Sequence, residues 1–496
     1  MRIPFYGLQA DLPDIGISGE TEARNVVPGV THYHPFREPV SQSNSLTSTC
    51  LGATAARDAS NNVYLYAGTT DKLYEASSDL TFADESKGGG YSTAAGDVWE
   101  FVVWDRNQQV IATNFTDPVQ AISIGAGAST AFADLITSTN VPKAKHIGIV
   151  RNQIVLGNTS DGTDGHQPTR VWWSGVNDAT DFDPSLATLS DYETLQQGGW
   201  VQRVVGGAEY GVIFQEKLIT RMDYVGPPVI YSFNPVDRRR GTHVPNSVVA
   251  HGRNIFYYSE EGFFAFGGTG STEIGSTSID RTVSDGFDPN DRARVSAAID
   301  PPNKTVTWVI PIGGEKRLFI YRWDTGKWSE ADGDDAQILF QAQTPPYTLE
   351  ELDAVFGSNI DLYTESLDSD TYKGGKYRFA SFGSGNKLYY FTGSAKKGYV
   401  TTPEFQLSPQ RTQINSVRPL SDGANMAVSV GSKTRMNDAV VYGSSSSQNI
   451  QGECPLRAEG RYQRIRVSLS GGASASATWS HLIGVEVSDF VQMGGR

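Results

Sequence analysis

The sequence predicts an all-β protein: a β-propeller-like meander of about six to seven blades, with an extended N-terminal arm before it and a C-terminal β-rich region after it. Three observations carry that expectation. The chain holds 52 Gly and 23 Pro, with only 19% charged residues against an average near 25%, so turns are frequent and charges sparse. Aromatics stand at 11%, spread over 22 Tyr, 22 Phe and 9 Trp, a bias that suits strands better than helical bundles. Between residues 201 and 268 the chain divides into apolar or alternating runs at 201–205, 210–215, 217–222, 229–233, 247–250, 254–258 and 263–266. Gly206-Gly207, Gly226-Pro227-Pro228, Arg240-Gly241, His251-Gly252 and Glu261-Gly262 separate them. Strand-length runs with Gly or Pro at their junctions, and no helical stretch to cover the sheet faces, point to blades or a barrel.

The other elements follow the same logic. Residues 1–49 are punctuated by Pro and Gly without sustained periodicity and read as an arm lying across other surfaces. The core is expected over 50–400. Its first hairpin pairs 62–67 with 71–75, and its second pairs 98–104 with 109–112 around Asp105-Arg106-Asn107, followed by a strand at 119–124. The small-residue stretch 125–139 reads as a loop with at most a short helix. A third hairpin joins 145–150 to 153–156, and after the loop NTSDGTDGHQPT the strand RVWWS (170–174) would turn one of Trp172 and Trp173 to the core and the other to the surface. Residues 178–197 and 276–298 read as irregular loops. Strands are expected at 305–311, 317–322, 337–343, 378–382 and 387–391, and a short helix at 348–352, where Thr348 and Glu351 have capping-box spacing. From 401 to 496 the strands at 414–419, 426–430, 439–442, 464–469 and 483–487 are spaced more widely, which fits a sandwich, a platform or a propeller-closing segment.

At 496 residues the chain is long enough to bury a large core. A net charge of −14 argues against a general nucleic-acid binder, which would show a basic face. Cys50 and Cys454 form no CxxC or zinc spacing and read as two reduced thiols. The N-terminus MRIPFYGLQADLPDIG lacks the pattern of a signal peptide, and no apolar run reaches the span of about 18 residues that crosses a membrane. A protein made in a cytoplasm, without membrane insertion, is expected.

The chemistry-bearing constellations are weak. His32 and His34 have two-ligand spacing on a strand face but no third ligand nearby. NTSDGTDG and DATDFDPS are Asp-rich without the ligand order of an EF-hand. Arg238-Arg239-Arg240 is the tight Arg run of the chain and suits a subunit contact or a loop role better than a cradle for a carboxylate or phosphate. Tyr321–Trp328 is kelch-like in one copy, which turn chemistry alone explains. No GxSxG, P-loop or dinucleotide fingerprint stands in a strand–helix context. No catalytic, cofactor-binding or metal-binding residues are expected.

Several stretches belong together: VVGGAEYGVIF (204–214), YVGPP (224–228), Arg240-Gly241-Thr242, SEEGFF (259–264), TLEEL (348–352), and a C-terminal stretch with Arg457, Gly460-Arg461-Tyr462, Arg466, Trp479, Gly484 and Arg496. As an ensemble they resemble the tail nozzle, or packaged DNA stabilization, proteins of short-tailed bacteriophages. The N-terminal arm departs from the family's form. The resemblance implies a structural, non-enzymatic virion protein of the tail, assembled as a homo-hexameric tube below the portal and adaptor rings. Such a tube extends the exit channel, retains genomic DNA without sequence-specific binding, and carries tail fibres or spikes and a needle or plug. Under that reading Arg238, Arg239, Arg240, Arg457, Arg461, Arg464 and Arg466 are the interface candidates, although a solvated strand face explains the C-terminal four equally well. The competing expectation is a carbohydrate-binding or glycan-processing propeller, with sugars stacked on Trp172-Trp173 or on the 323–328 segment.

Overall fold

The chain was analysed as a computed structural model, which describes residues 1–77, 79–127, 130–136, 142–344, 375–472 and 478–493. Seven four-stranded antiparallel blades follow one another, at residues 52–84, 100–134, 143–194, 201–237, 249–273, 296–332 and 338–390. The first six blades are meanders of consecutive strands, and the first strands of the blades lie toward the centre. Six of the expected runs in the 201–268 stretch return as strands Val201–Val205, Tyr210–Gln215, Ile219–Gly226, Ile230–Asp237, Asn254–Ser259 and Gly262–Phe266, and the seventh as the shorter Val249–His251. They build blade four and most of blade five. The all-β propeller expectation therefore holds, and the described residues form seven blades.

Both faces of a blade are covered by its neighbours, so both faces are apolar. Trp172 packs with Trp104 and Ile111 of blade two, while Trp173 packs with Val201 and Ile213 of blade four. The expectation that one of these rings would face solvent is corrected: both are buried. Phe214 and Ile219 of blade four meet Tyr257 and Phe264 of blade five in the same way. The glycines of VVGG belong to this packing. A Cβ at Gly206 would stand 2.1 Å from the Ile149 carbonyl oxygen, so the entry to blade four passes against blade three where only glycine fits.

The arm completes the ring. Three strands of blade seven come from residues 338–390, and the fourth is Val40–Ser41, paired with Tyr389 and Tyr390. Phe340, Phe382 and Leu388 then pack against Val63, Leu65 and Phe82 of blade one, closing the circle.

Blade six does not end at its fourth strand. Glu22–Arg24 adds parallel to Lys327–Asp332, and Gly398–Thr401, Tyr462–Leu469 and Ala427–Lys433 continue the same sheet. A second sheet, in the order Val26–Pro28, Tyr33–Pro35, Leu482–Gln492, Thr412–Ser421, Cys454–Gly460, faces it; Arg2–Pro4 also pairs with Leu482–Gln492. The C-terminal region is thus a β-sandwich with arm strands in both layers. Its core, including Val417, Val428, Ile465 and Val485, runs without a break into Phe263, Trp308 and Trp328 of blades five and six. Burying each of those large side chains stabilises by roughly 1.5–3 kcal/mol.

Three expected loops contain regular structure. Residues 276–298 contain the helix Asp280–Gly286 and a 3₁₀ turn at Pro289–Arg294. The loop NTSDGTDGHQPT is a hairpin, Gln153–Asp161 with Gly165–Trp173, and Asp191–Thr194 in the polar 178–197 stretch is the last strand of blade three. The expected helix at 348–352, with its TLEEL motif, lies outside the described residues, as do parts of 125–139 and Arg496.

Glu20 lies buried under the arm. It accepts hydrogen bonds from the Tyr6 and Gly7 amides, each at 2.6 Å, and from the Tyr33 hydroxyl at 2.7 Å. Burial is the largest influence on its carboxyl and pushes it up to about 7 against those three donors. The folded pKa thus stands above the ordinary value of 4.5, so the folded state holds an extra proton between these pH values. Stability is fully present below that window and declines as pH rises through it, by about 3 kcal/mol in all. Between pH ~5 and ~7.5 the thermal midpoint is expected to fall, and Glu20→Gln, whose amide cannot ionise, to flatten that slope. Parallel profiles for the two proteins would contradict this linkage.

Candidate functional site

The first strands of the blades surround an axial cavity of about 680 Å³, lined among others by Gly52, Phe101, Arg203, Val249, Ala297 and Leu339. Strand alternation sends every second side chain toward a neighbouring blade, and in blade two this places Glu100 against blades three and four. Glu100 is buried. Its Oε1 accepts from His146 Nδ1 at 2.8 Å and from the Arg203 guanidinium, and its Oε2 accepts from the Ile147 amide at 3.1 Å. Burial alone would raise this carboxyl, but Arg203 and then His146 outweigh it and hold Glu100 below the usual range. The trio is a charge-balanced knot between three blades.

A smaller cavity of about 290 Å³ opens beside the axial one; Val98, Asn246 and Ala293 line both. Its wall carries Phe115, Lys145, Trp200, Glu216, His243 and Arg292. Lys145 donates to Asp97 at 2.8 Å and stands 5.3 Å from the centre of the Phe115 ring. His243 Nδ1 lies 4.0 Å from Glu216, and its Nε2 lies 3.2 Å from Glu260. Trp200 is 49% exposed, whereas Trp172, Trp173 and Trp328 are buried between blades. Neither Trp200 nor Glu100 stood out in the sequence. Glu100 had one legible signal, a carboxylate inside the apolar run WEFVVW.

The arginines singled out from the sequence fall into separate places. Arg238 and Arg239 are exposed after the last strand of blade four, and Arg238 borders a groove with Tyr231 and Phe233. Arg240 donates to the Ser271 carbonyl at 3.0 Å and to Glu273 at 2.9 Å, and covers the Phe264 ring at 4.7 Å. It latches the edge of blade five. Arg457 is exposed and paired with Glu459 at 3.0 Å, and Arg461 is exposed against Tyr462. Arg464 and Arg466 turn inward to the arm. Arg464 meets Asp14, and Glu404 at 3.4 Å; Arg466 donates to Glu22 at 2.6 Å and lies 4.7 Å from the rings of both Tyr399 and Tyr442.

The other candidates resolve into turn chemistry. Asp161 accepts from the amides of Thr163 and Asp164, and Arg170 pairs with both Asp161 and Asp164, so a guanidinium supplies the positive charge in that loop. Asp178 and Asp181 likewise cap the amides of Thr180 and Asp183. His32 and His34 face each other through their Nε2 atoms at 3.0 Å, with His34 Nδ1 on the Ser480 carbonyl. Among the described residues no three His, Cys, Asp or Glu side chains are grouped to hold a metal ion. Cys50 and Cys454 are free and buried, and burial pushes their thiols up to about 12 and about 11.

No family model matches the chain, and no curated protein does. Solved structures with similar arrangements include the extracellular domain of a hybrid two component system from B. thetaiotaomicron, at 9% identity and TM-score 0.42, covering 82% of this chain and 47% of that one. The chain therefore spans about half the length of that protein. The Pan2 WD40 domain of Neurospora crassa aligns at 8% identity and TM-score 0.40, covering 73% of this chain and 96% of that domain. A protein from Lactobacillus plantarum aligns at 13% identity and TM-score 0.36, covering 55% of this chain and 82% of that one.

Proposed function

We propose that the chain is a structural virion protein, a subunit of the hexameric tail nozzle of a short-tailed bacteriophage, without catalytic activity. In this reading it sits below the portal and adaptor rings, extends the DNA channel, retains the packaged genome, and carries fibres or spikes at its side and a needle or plug at its tip. The observation that carries the proposal is the resemblance of blades four and five to that family. VVGGAEYGVIF contributes the tight entry and second strand of blade four, and SEEGFF the central hairpin of blade five. YVGPP forms the tip of a projecting hairpin, where Val225 and Val229 are 56% and 60% exposed. An apolar tip on a rigid blade suits a contact with a neighbouring subunit.

The net charge of −14 supports the same reading, because an acidic lumen removes the counterion-release term that drives DNA adhesion. Cryo-electron microscopy of the purified protein, alone and with portal and adaptor, tests it. A sixfold ring is expected, with a channel wider than duplex DNA at about 20 Å, and acidic side chains outnumbering basic ones on its wall. A stable monomer that cleaves glycans would overturn the assignment, and a channel lined by Lys and Arg would overturn the sliding mechanism.

A further inference from the structure

We propose that the smaller cavity beside the axial one is a binding site for an uncharged saccharide of one or two rings, stacked on Trp200. The inference stands apart from the nozzle reading, since it concerns a pocket within a single subunit.

The first observation is the tryptophan. An indole left 49% exposed on the wall of a concave site offers apolar area to a ligand. It is also held in place. The His166 ring meets Trp200 edge-on at 6.1 Å, packs on Phe115 at 5.0 Å, and bonds Asn158 Oδ1 through Nε2 at 2.7 Å. Trp200 is therefore a supported platform, and a ligand stacking on it loses little side-chain entropy in the protein.

The second observation is the polar lining of the same cavity. Gln202 and Asn246 bring amides, each both donor and acceptor, and Glu216 and Asp97 bring acceptors. Two carboxylates face two cations, Lys145 and Arg292, and Lys145 is already committed to Asp97. A wall so balanced gives no net attraction to a phosphate or an ammonium group. It suits a ligand that both donates and accepts without charge of its own. A pyranose has that chemistry: one face of C–H bonds to lie on an indole, and hydroxyls around its edge for carboxylates and amides.

The third observation is size. The cavity of about 290 Å³ sits at the lower end of small-molecule sites and admits one or two sugar rings.

The experiment uses the full chain, with intrinsic fluorescence and saturation-transfer NMR as readouts. The probes are glucose, galactose, N-acetylglucosamine, maltose, lactose and chitobiose, with inorganic phosphate and ATP as charged controls. At least one saccharide is expected to bind saturably, with an affinity indifferent to salt. Trp200→Ala should weaken it at least about tenfold, Trp200→Phe should restore part of the loss, and Glu216→Gln should weaken it several-fold. Unchanged thermal midpoints in the Trp200 variants separate lost binding from lost folding. Absence of saturable binding by every saccharide, undiminished affinity in Trp200→Ala, or preferential binding of phosphate or ATP would each overturn the proposal. The ring test above has no bearing on this outcome, so either reading can fail alone.

Discussion

Deleting residues 1–41 is expected to unfold the sandwich and to leave the propeller an open, protease-sensitive ring. The arm is structural in three places at once. Val40–Ser41 is the outer strand of blade seven, Glu22–Arg24 lies between propeller and sandwich, and Arg2–Pro4, Val26–Pro28 and Tyr33–Pro35 belong to the second sandwich sheet. Its side chains Phe5, Leu8, Val26, Tyr33 and Phe36 are all buried. At roughly 1.5–3 kcal/mol each, their loss is on the order of 10 kcal/mol, comparable with the whole net stability of a domain at about 5–15 kcal/mol. Two ion pairs go with them, Arg24 to Asp332 at 2.6 Å and Glu22 to Arg466 at 2.6 Å, which tie the arm to blade six and to the sandwich. Limited proteolysis should release the C-terminal region of the truncated protein first, and a synthetic peptide of residues 1–41 should restore protection. A truncated protein with the thermal midpoint and digestion pattern of the full chain would refute this account of the arm.

Glu100→Ala is expected to cost about 3–5 kcal/mol, because it strands a partly buried guanidinium and a buried imidazole without their carboxylate. Glu100→Gln keeps the volume and one acceptor and should cost less, which separates lost charge from lost packing. The pH dependence runs opposite to that of Glu20. The folded pKa of Glu100 is depressed, so its contribution is present above the ordinary carboxylate value of 4.5 and is lost as pH falls through the lower folded value. Urea unfolding at neutral and acidic pH reads both effects. Equal midpoints for wild type and Glu100→Ala at neutral pH would show that the three-blade knot contributes nothing.

The strands of the blades were legible because each rests on local information. Alternation, β-branched and aromatic residues, and a Gly or Pro at the turn are all contained within about ten residues. The hairpins expected at 62–75, 98–112 and 145–156 appear as Val63–Gly68 with Leu73–Ala76, Glu100–Trp104 with Gln109–Thr113, and Lys143–Val150 with Gln153–Asp161. The helix Asp280–Gly286 was not legible in that way, since its capping group comes from elsewhere. Asp11 of the arm accepts from the amides of Arg281 at 2.7 Å and Thr282 at 2.9 Å, so the local stretch shows no N-cap of its own. The candidate site was hidden for a related reason. Trp200, Phe115 and His166 lie on separate stretches, and only the stacking of blades brings them to one opening.

By itself, then, the sequence determined the all-β class, the strand runs, their turns, and the glycines that permit close approach between blades. The tertiary structure decided which strands close the ring, which residues of the arm join propeller to sandwich, and which tryptophan is left facing a cavity. The physical reason is range. Turn and alternation preferences act between neighbours in the chain, whereas pairings such as Arg24 with Glu330 and Tyr399, or Val40 with Tyr390, join segments more than 300 residues apart and yield their free energy only once both partners are already folded.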